Sequence, residues 1–306
     1  CRVWSARYWV HFLTRKSGFP DISPEIFSIS VFGLSFSVRW YALSYIVGIL
    51  LAWRMALVAL RRSELWPKNL APMAARDFED LLTWMILGIL LGGRLGYVLF
   101  YQPAYYVAHP FEIVMIWTGG MAFHGGLLGV VIAAFFYFRR NLVPYASGAD
   151  VIALSTPMGL LLGRLANFIN AELWGRPTDL PWGVAFPGQA AQACGQAAGL
   201  CARHPSQLYE AALEGLLLGL VLAAMAFRYD ALKRPGLITG AFFTIYGLSR
   251  CLVELVRQPD AQFQSPENPL GYALNFDGFG LTMGQLLSLP MALLGMALIL
   301  RAFRKS

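Results

Sequence analysis

The chain has 306 residues, of which 57% are hydrophobic and 13% charged, against about 25% charged in a soluble domain. That composition excludes an ordinary water-soluble globule and points to a chain built for a bilayer. A net charge of +7 raises nucleic acid as a partner, but Lys and Arg are scattered in short groups, without the basic stripe or aromatic-rich strand such binding needs.

Taken in chain order, residues 1–18 (CRVWSARYWVHFLTRKSG) mix Arg, Trp and His with no long apolar core. They read as an atypical N-terminal extension, neither a signal peptide nor a spanning helix. From residue 19 to 306 apolar runs recur without a Ser/Gly/Pro-rich linker, so one membrane domain is expected. A spanning helix needs roughly 20 mostly apolar residues, and seven runs qualify, at about 41–60, 81–101, 121–138, 150–169, 208–227, 236–256 and 281–300. The third is short, and the fourth runs into the polar stretch GLLLGRLANFINAELWGR (residues 159–176). Alternating ten-residue strands, the mark of an outer-membrane barrel, are absent. The expected class is therefore all-α and polytopic, with seven transmembrane helices.

Orientation follows from Lys and Arg near the helix ends, which stay on the cytoplasmic side. One set of loops carries Arg61, Arg62, Lys68, Arg76, Arg139, Arg140, Arg228, Lys233, Arg234, Arg301, Arg304 and Lys305; the alternate set carries only Arg176, Arg203 and Arg257. The N-terminus is thus expected outside and the C-terminus inside. A long external loop at about 171–207 holds Trp174, Trp182 and Phe186, read first as interfacial anchors. Cys194 and Cys201 share that loop and are placed to pair in an oxidising compartment, while Cys251 in an apolar run reads as a small buried residue.

Charges inside a spanning segment cost several kcal/mol unless paired, hydrated or snorkelling, so each is a functional candidate. With this topology Arg94, Arg164 with Asn167, and Arg250 with Glu254 fall in the outer halves of their helices. Tyr41, His124, and Tyr209 with Glu210 lie near the outer ends of theirs. Arg54, toward the cytoplasmic end, simply snorkels. Arginine offers a fixed fork of donors suited to phosphate, so the set fits a phospholipid headgroup. Glu254 follows Arg250 by four residues, on one helical face, and either orients it or merely neutralises it. His124 in AFHGGLLG is either a polar end residue or a proton acceptor, its ordinary pKa being about 6.5. The glycines of Gly92-Gly93-Arg94-Leu95-Gly96 resemble a nucleotide loop only superficially and read as helix-packing residues. A transporter also places charge in helices, but no internal repeat is visible and the polar set is displaced from the midplane. A non-catalytic scaffold would leave the arginines as structural pairs.

Six ordered segments together resemble the prolipoprotein diacylglyceryl transferase family. They are Arg39-Trp40-Tyr41, Gly92-Gly93-Arg94-Leu95-Gly96-Tyr97, His124-Gly125-Gly126, Gly163 to Asn170 (GRLANFIN) with Glu172 and Gly175-Arg176, His204 to Glu210 (HPSQLYE), and Tyr246-Gly247 through Arg250 and Glu254 to Arg257. The resemblance runs from about Phe19 to the C-terminus. It implies a bacterial inner-membrane enzyme with its site toward the periplasmic leaflet. Such an enzyme moves the diacylglyceryl group of phosphatidylglycerol to the lipobox cysteine of a prolipoprotein signal peptide, forming a thioether and releasing glycerol phosphate. By resemblance Arg164 and Arg250 are the lipid-phosphate residues, Asn167, Glu172 and Gly175 shape the signature site, and Tyr41 contributes from the first helix. Either His124 accepts the thiol proton or an Arg stabilises the thiolate. Arg94, Tyr246, Glu254 and Arg257 orient or steer. No metal or organic cofactor is implied, nor nucleic acid. Ala42 stands where the family usually has Gly.

Overall fold

The computed structural model describes residues 17–31, 34–194, 200–259, 263–265, 267–276 and 279–304. Residues 1–16, most of the expected extension, lie outside the described residues. The fold is mostly helical. Seven long helices follow in order: α1 (Trp40–Leu60), α2 (Ala75–Phe100), α3 (Phe123–Arg140), α4 (Tyr145–Ile169), α5 (Ser206–Arg228), α6 (Leu237–Glu254) and α7 (Met283–Arg304). Among the described residues, six of these are long and apolar enough to cross a membrane; α3 is the exception. It has 18 residues, opens beside His124-Gly125-Gly126 and closes on Arg139-Arg140, so its ends dilute its apolar centre.

Beside the helices lie short strands that the all-α expectation left out. Among the described residues, short strands form three two-stranded sheets: β1 (Ser17–Gly18) parallel to β4 (Val184–Ala185), β2 (Glu25–Val31) antiparallel to β3 (Leu34–Arg39), and β5 (Leu274–Phe276) antiparallel to β6 (Phe279–Leu281). The physical reason is plain in EIFSISV and LSFSVR, where apolar residues alternate with Ser at a period of two, too briefly to register against membrane-length runs.

The chain divides into two compact units. The first takes its described residues from the stretch ending at Ala52, from Ser155–Ala224 and from Gly240–Arg304; the second takes Trp53–Leu154 and Met225–Thr239. In the second unit α2 and α3 meet backbone to backbone. A Cβ at Gly92 would stand 2.9 Å from the Gly129 Cα, and one at Gly96 would stand 2.9 Å from the Gly125 Cα, so these glycines serve the close packing read from the sequence. Here too Asp150, fully buried on α4, accepts hydrogen bonds from the Gly236 amide (2.6 Å), the Thr239 amide (2.8 Å) and the Thr239 hydroxyl (2.7 Å). It satisfies free amide groups at the start of α6.

In the first unit the α5 backbone passes through a π-helical segment at Ala211–Leu217. Gly215 within it packs on α4, where a Cβ would lie 2.6 Å from the Leu161 Cα. The loop after α4 builds its own small core from Val184, Phe186 and Ala191, packed by Phe19, Phe168 and Trp174. Phe186 is fully buried, and Trp174 lies under the Arg203 guanidinium, 4.0 Å from its ring centroid. Of the three aromatics read as interfacial anchors, only Trp182 is exposed; the other two hold the loop together. Cys194 and Cys201 form a disulfide with Cα atoms 6.1 Å apart.

Candidate active site

Three helices of the first unit converge on one carboxylate. Glu210 sits in the first turns of α5 with its side chain 1% exposed. It faces Arg164 Nε of α4 at 3.1 Å, Arg250 Nη1 of α6 at 2.5 Å, and Arg257 Nη1, just beyond α6, at 3.2 Å. One turn further along α5, Glu214 lies 3.6 Å from Arg164 Nη2. Arg250 also reaches Glu254 Oε2 at 2.9 Å, the i,i+4 pairing of the α6 sequence. Tyr246, one turn before Arg250, lies beside Arg164. At the start of α7, Gly284 leaves room for the Glu254 carboxylate, whose Cδ would stand 2.5 Å from a Cβ there. Three guanidinium groups and three carboxylates thus form one knot of zero net charge. Burial, with Arg250 alongside, pushes the Arg257 guanidinium below its ordinary range.

The carboxylates pin the arginines without sealing them. The side chains of Arg164, Arg250 and Arg257 keep 19%, 14% and 17% of their surface, whereas Glu210 and Glu214 keep 1% and 0%. Each arginine side chain therefore keeps some open surface while its guanidinium is oriented by buried carboxylates. Such preorganised donors stabilise developing negative charge without reorganising.

The polar stretch at the end of α4 folds back as a tight turn. The Glu172 amide bonds to the Asn167 carbonyl at 3.1 Å, and Asn167 Nδ2 donates to Glu172 Oε1 at 2.7 Å. Ala171 and Leu173 take φ of 53° and 58°, a left-handed backbone that costs non-glycine residues about 1–3 kcal/mol. Ties from α5 hold it there: Gln207 Nε2 donates to the Glu172 carbonyl at 2.5 Å and Ser206 Oγ to the Leu173 carbonyl at 2.9 Å. Gly175 then pairs antiparallel with Arg257. A Cβ at Gly175 would lie 2.5 Å from the Val256 carbonyl oxygen and 2.7 Å from the His204 Cβ, so only glycine allows this approach. The signature turn is thereby stitched to the segment that carries Arg257. Tyr41 opens α1, its hydroxyl accepting from Tyr45 at 3.2 Å.

Arg203, which had no role in the sequence reading, is the loop's organiser. It is 3% exposed and donates to the carbonyls of Ala191 (2.5 Å), Gly175 (3.3 Å) and Ala193 (3.2 Å), and to Gln258 Oε1 (3.1 Å). In the second unit, Arg94 is also 3% exposed. Its fork is taken up by main-chain carbonyls: Ile113 (2.8 Å), Glu112 (2.5 Å), Gly119 and Gly120. It clamps the segment between α2 and α3. His124, near the start of α3, is exposed.

The structure therefore gathers Arg164, Arg250, Glu254, Arg257 and Tyr246 in one knot, and Asn167, Glu172 and Gly175 in the adjoining turn. Arg94 and His124 belong to the other unit. Sequence reasoning paired Arg250 with Glu254 and placed Glu210 among the polar residues near the outer helix ends without giving it a role, and it passed over Glu214. Their signal was two acids four residues apart at the head of an apolar helix.

Residues 28–301 match the family model described as prolipoprotein diacylglyceryl transferase. The chain is similar to the phosphatidylglycerol–prolipoprotein diacylglyceryl transferase of Ruegeria pomeroyi, 68% identical over 284 residues, covering 93% of this chain and 96% of the relative. That of Roseobacter denitrificans is 62% identical over 284 residues, 93% and 97% of the two chains. That of Rhizobium leguminosarum bv. trifolii is 48% identical over 288 residues, 94% of each.

Proposed function

Because the chain belongs to the prolipoprotein diacylglyceryl transferase family, we propose that the Arg164–Arg250 side of the knot holds the phosphate of its lipid substrate. The protein is a transferase of the membrane, and it moves the diacylglyceryl group of phosphatidylglycerol to a prolipoprotein, the first step of lipoprotein maturation. In the reaction, the lipobox cysteine sulfur attacks the glycerol carbon that bears the phosphate. The carbon–sulfur bond forms, the carbon–oxygen bond breaks, and glycerol phosphate departs with the electron pair. Negative charge grows on phosphate oxygens, and a fixed guanidinium pair lowers that barrier. The observation that carries the assignment is the convergence of Arg164, Arg250 and Arg257 on buried Glu210, with the three arginine side chains still partly exposed.

Arg257, Glu254 and Tyr246 orient the two phosphate arginines, and Asn167, Glu172 and Gly175 shape the turn beside them. Tyr41 adds a hydroxyl from α1. Arg94 acts by holding the segment through Gly120 in place. His124 takes the proton of the thiol, whose free pKa of about 8.5 otherwise leaves it largely protonated; an arginine stabilising the thiolate is the alternative. The site faces the periplasmic leaflet of the inner membrane, with seven spanning helices, the N-terminus outside and the C-terminus inside. Supporting this are the Lys and Arg bias of the loops and the Cys194–Cys201 disulfide in the loop at about 171–207, since disulfides persist in oxidising compartments.

The test is direct. Purified protein incubated with phosphatidylglycerol and a lipobox peptide yields a diacylglyceryl adduct on cysteine, read by mass, and Arg164→Ala, Arg250→Ala and His124→Ala lose it while folded. Thioether formation unchanged in the arginine variants removes the phosphate assignment, and unchanged formation in His124→Ala shifts thiol activation to an arginine.

A further inference from the structure

The knot is electrically balanced before any substrate arrives, and this bears on how an anionic lipid enters it. A phosphodiester brings one further negative charge to a set of three guanidinium groups and three carboxylates. In a buried, low-dielectric setting uncompensated charge is expensive, and the ordinary response is for a carboxylate to take a proton.

Among the described residues one member of the knot is built for that response. Glu214 is fully buried, and neither of its carboxylate oxygens accepts a hydrogen bond. Its single ion pair, to Arg164 Nη2, is 3.6 Å long, whereas Glu210 is approached by three arginines and Glu254 lies 2.9 Å from Arg250. The placement is specific. Glu214 lies inside the π-helical segment Ala211–Leu217, a distortion that recurs at functional sites, and the neighbouring Gly215 lets α5 approach the α4 backbone at Leu161, one turn before Arg164. The groups acting on Glu214 are Arg164 from α4, Glu210 on its own helix, Arg250 and Tyr246 from α6, and Arg257 beyond it. Glu210 Oε2 and Glu254 Oε2 are also buried without a hydrogen bond, but Glu214 is the carboxylate with both oxygens so placed and with the longest ion pair of the set.

We propose that phosphatidylglycerol binding is coupled to the uptake of one proton by Glu214, which frees Arg164 from its carboxylate and turns its charge toward the lipid phosphate. With Glu214 ionised, Arg164 has its own counterion; with Glu214 neutral, the lipid phosphate becomes the counterion. This rests on the assignment of Arg164 and Arg250 to the phosphate.

Coupling of this kind has a signed consequence. If the bound state holds one more proton than the free state, affinity falls as pH rises, by up to about tenfold per pH unit across the coupled range. The experiment measures the KM for phosphatidylglycerol in peptide transfer from about pH 6 to 8, for the wild type and Glu214→Gln. The wild type shows KM rising with pH. Gln, which is the size of the protonated acid and carries no charge, gives a flat profile and a KM below that of the wild type at the alkaline end. A merely structural Glu214 predicts the opposite, a variant weaker at every pH with the wild-type slope intact, and that result overturns the proposal. Calorimetry needs no variant: wild-type protein titrated with phosphatidylglycerol vesicles in two buffers of different ionisation enthalpy reports about one proton taken up per lipid bound. Binding with no proton uptake by protein that still transfers from phosphatidylglycerol overturns the coupling alone. Absence of any transfer by the wild type instead overturns the phosphate assignment on which it rests.

Discussion

Replacing Glu210 by Gln keeps the shape at the centre of the knot and removes its charge. Three cations, with side chains 14–19% exposed, then share two carboxylates, Glu214 and Glu254. An ion pair at 3.1 Å in an effective dielectric of about 20 is worth about 5 kcal/mol before desolvation. Removing one partner from a buried pair costs about 3–5 kcal/mol, because the remaining charge stays buried. The pairs share one anion and the arginines repel each other, so the lower end, about 3 kcal/mol, is the figure to apply to this site. If the same loss is felt where the phosphate charge grows, transfer slows about a hundredfold, each 1.4 kcal/mol being about a factor of ten. The assay is diacylglyceryl transfer to a lipobox peptide by detergent-purified protein, run beside thermal unfolding. A Glu210→Gln protein that unfolds at the wild-type temperature and transfers within threefold of the wild-type rate would refute the view that Glu210 sets the arginine geometry.

Three further outcomes follow from the geometry. Gly175→Ala forces its methyl group against the Val256 carbonyl and His204; a loss of about 1–3 kcal/mol is expected, together with reduced transfer, and an unfolding curve superimposable on the wild type contradicts it. Asp150→Asn turns an amide toward the donors of Gly236 and Thr239 and is expected to cost about 1–3 kcal/mol, seen as faster exchange of the α6 amide protons. Burial holds the His204 imidazole below its ordinary value, so above about pH 6.5 it is neutral in both folded and unfolded chains and contributes no pH dependence. As pH falls from about 6.5 toward its folded value, the unfolded chain takes the proton first and stability drops. Unfolding midpoints of His204→Gln and wild type between pH 5 and 8 should diverge only at the acid end, and parallel curves contradict the assignment.

Spanning helices are legible in sequence because a membrane-length apolar run has few other uses, and each of the seven runs overlaps a helix here. The boundaries were less legible where polar residues continue a helix for tertiary reasons. Tyr145 to Ala149 extend α4 ahead of its apolar run, and Asp150 takes its donors from Gly236 and Thr239 at the head of α6, 86 and 89 residues away. The hairpin at Glu25–Arg39 escaped for lack of length. At the site, Arg164, Arg250 and the GRLANFIN turn stood out because charge and amides in an oily run are conspicuous one residue at a time. Glu210 and Glu214 gained meaning only through partners on other helices, and no periodicity reports which arginine a carboxylate will face. Arg94 showed the converse, a charge as conspicuous as the others whose donors go to main-chain carbonyls.

The balanced knot also constrains biogenesis. Ribosomes deliver the chain from its N-terminus, so Arg164 enters the bilayer with α4 before Glu210 and Glu214 of α5 have been translated, and Arg250, Glu254 and Arg257 follow last. On insertion scales a lone arginine at a helix centre costs about 2.5–3.5 kcal/mol, and the carboxylates that will offset it are not yet made. Until α5 arrives, α4 is a helix with an unbalanced cation, held by snorkelling or by the insertion machinery. Nascent chains stalled before Ser206 should therefore leave a cysteine introduced into α4 open to a water-soluble thiol reagent, whereas chains extended past Arg257 should protect it. The electrostatics that serve the finished site thus set an order in which its helices can become permanent residents of the membrane.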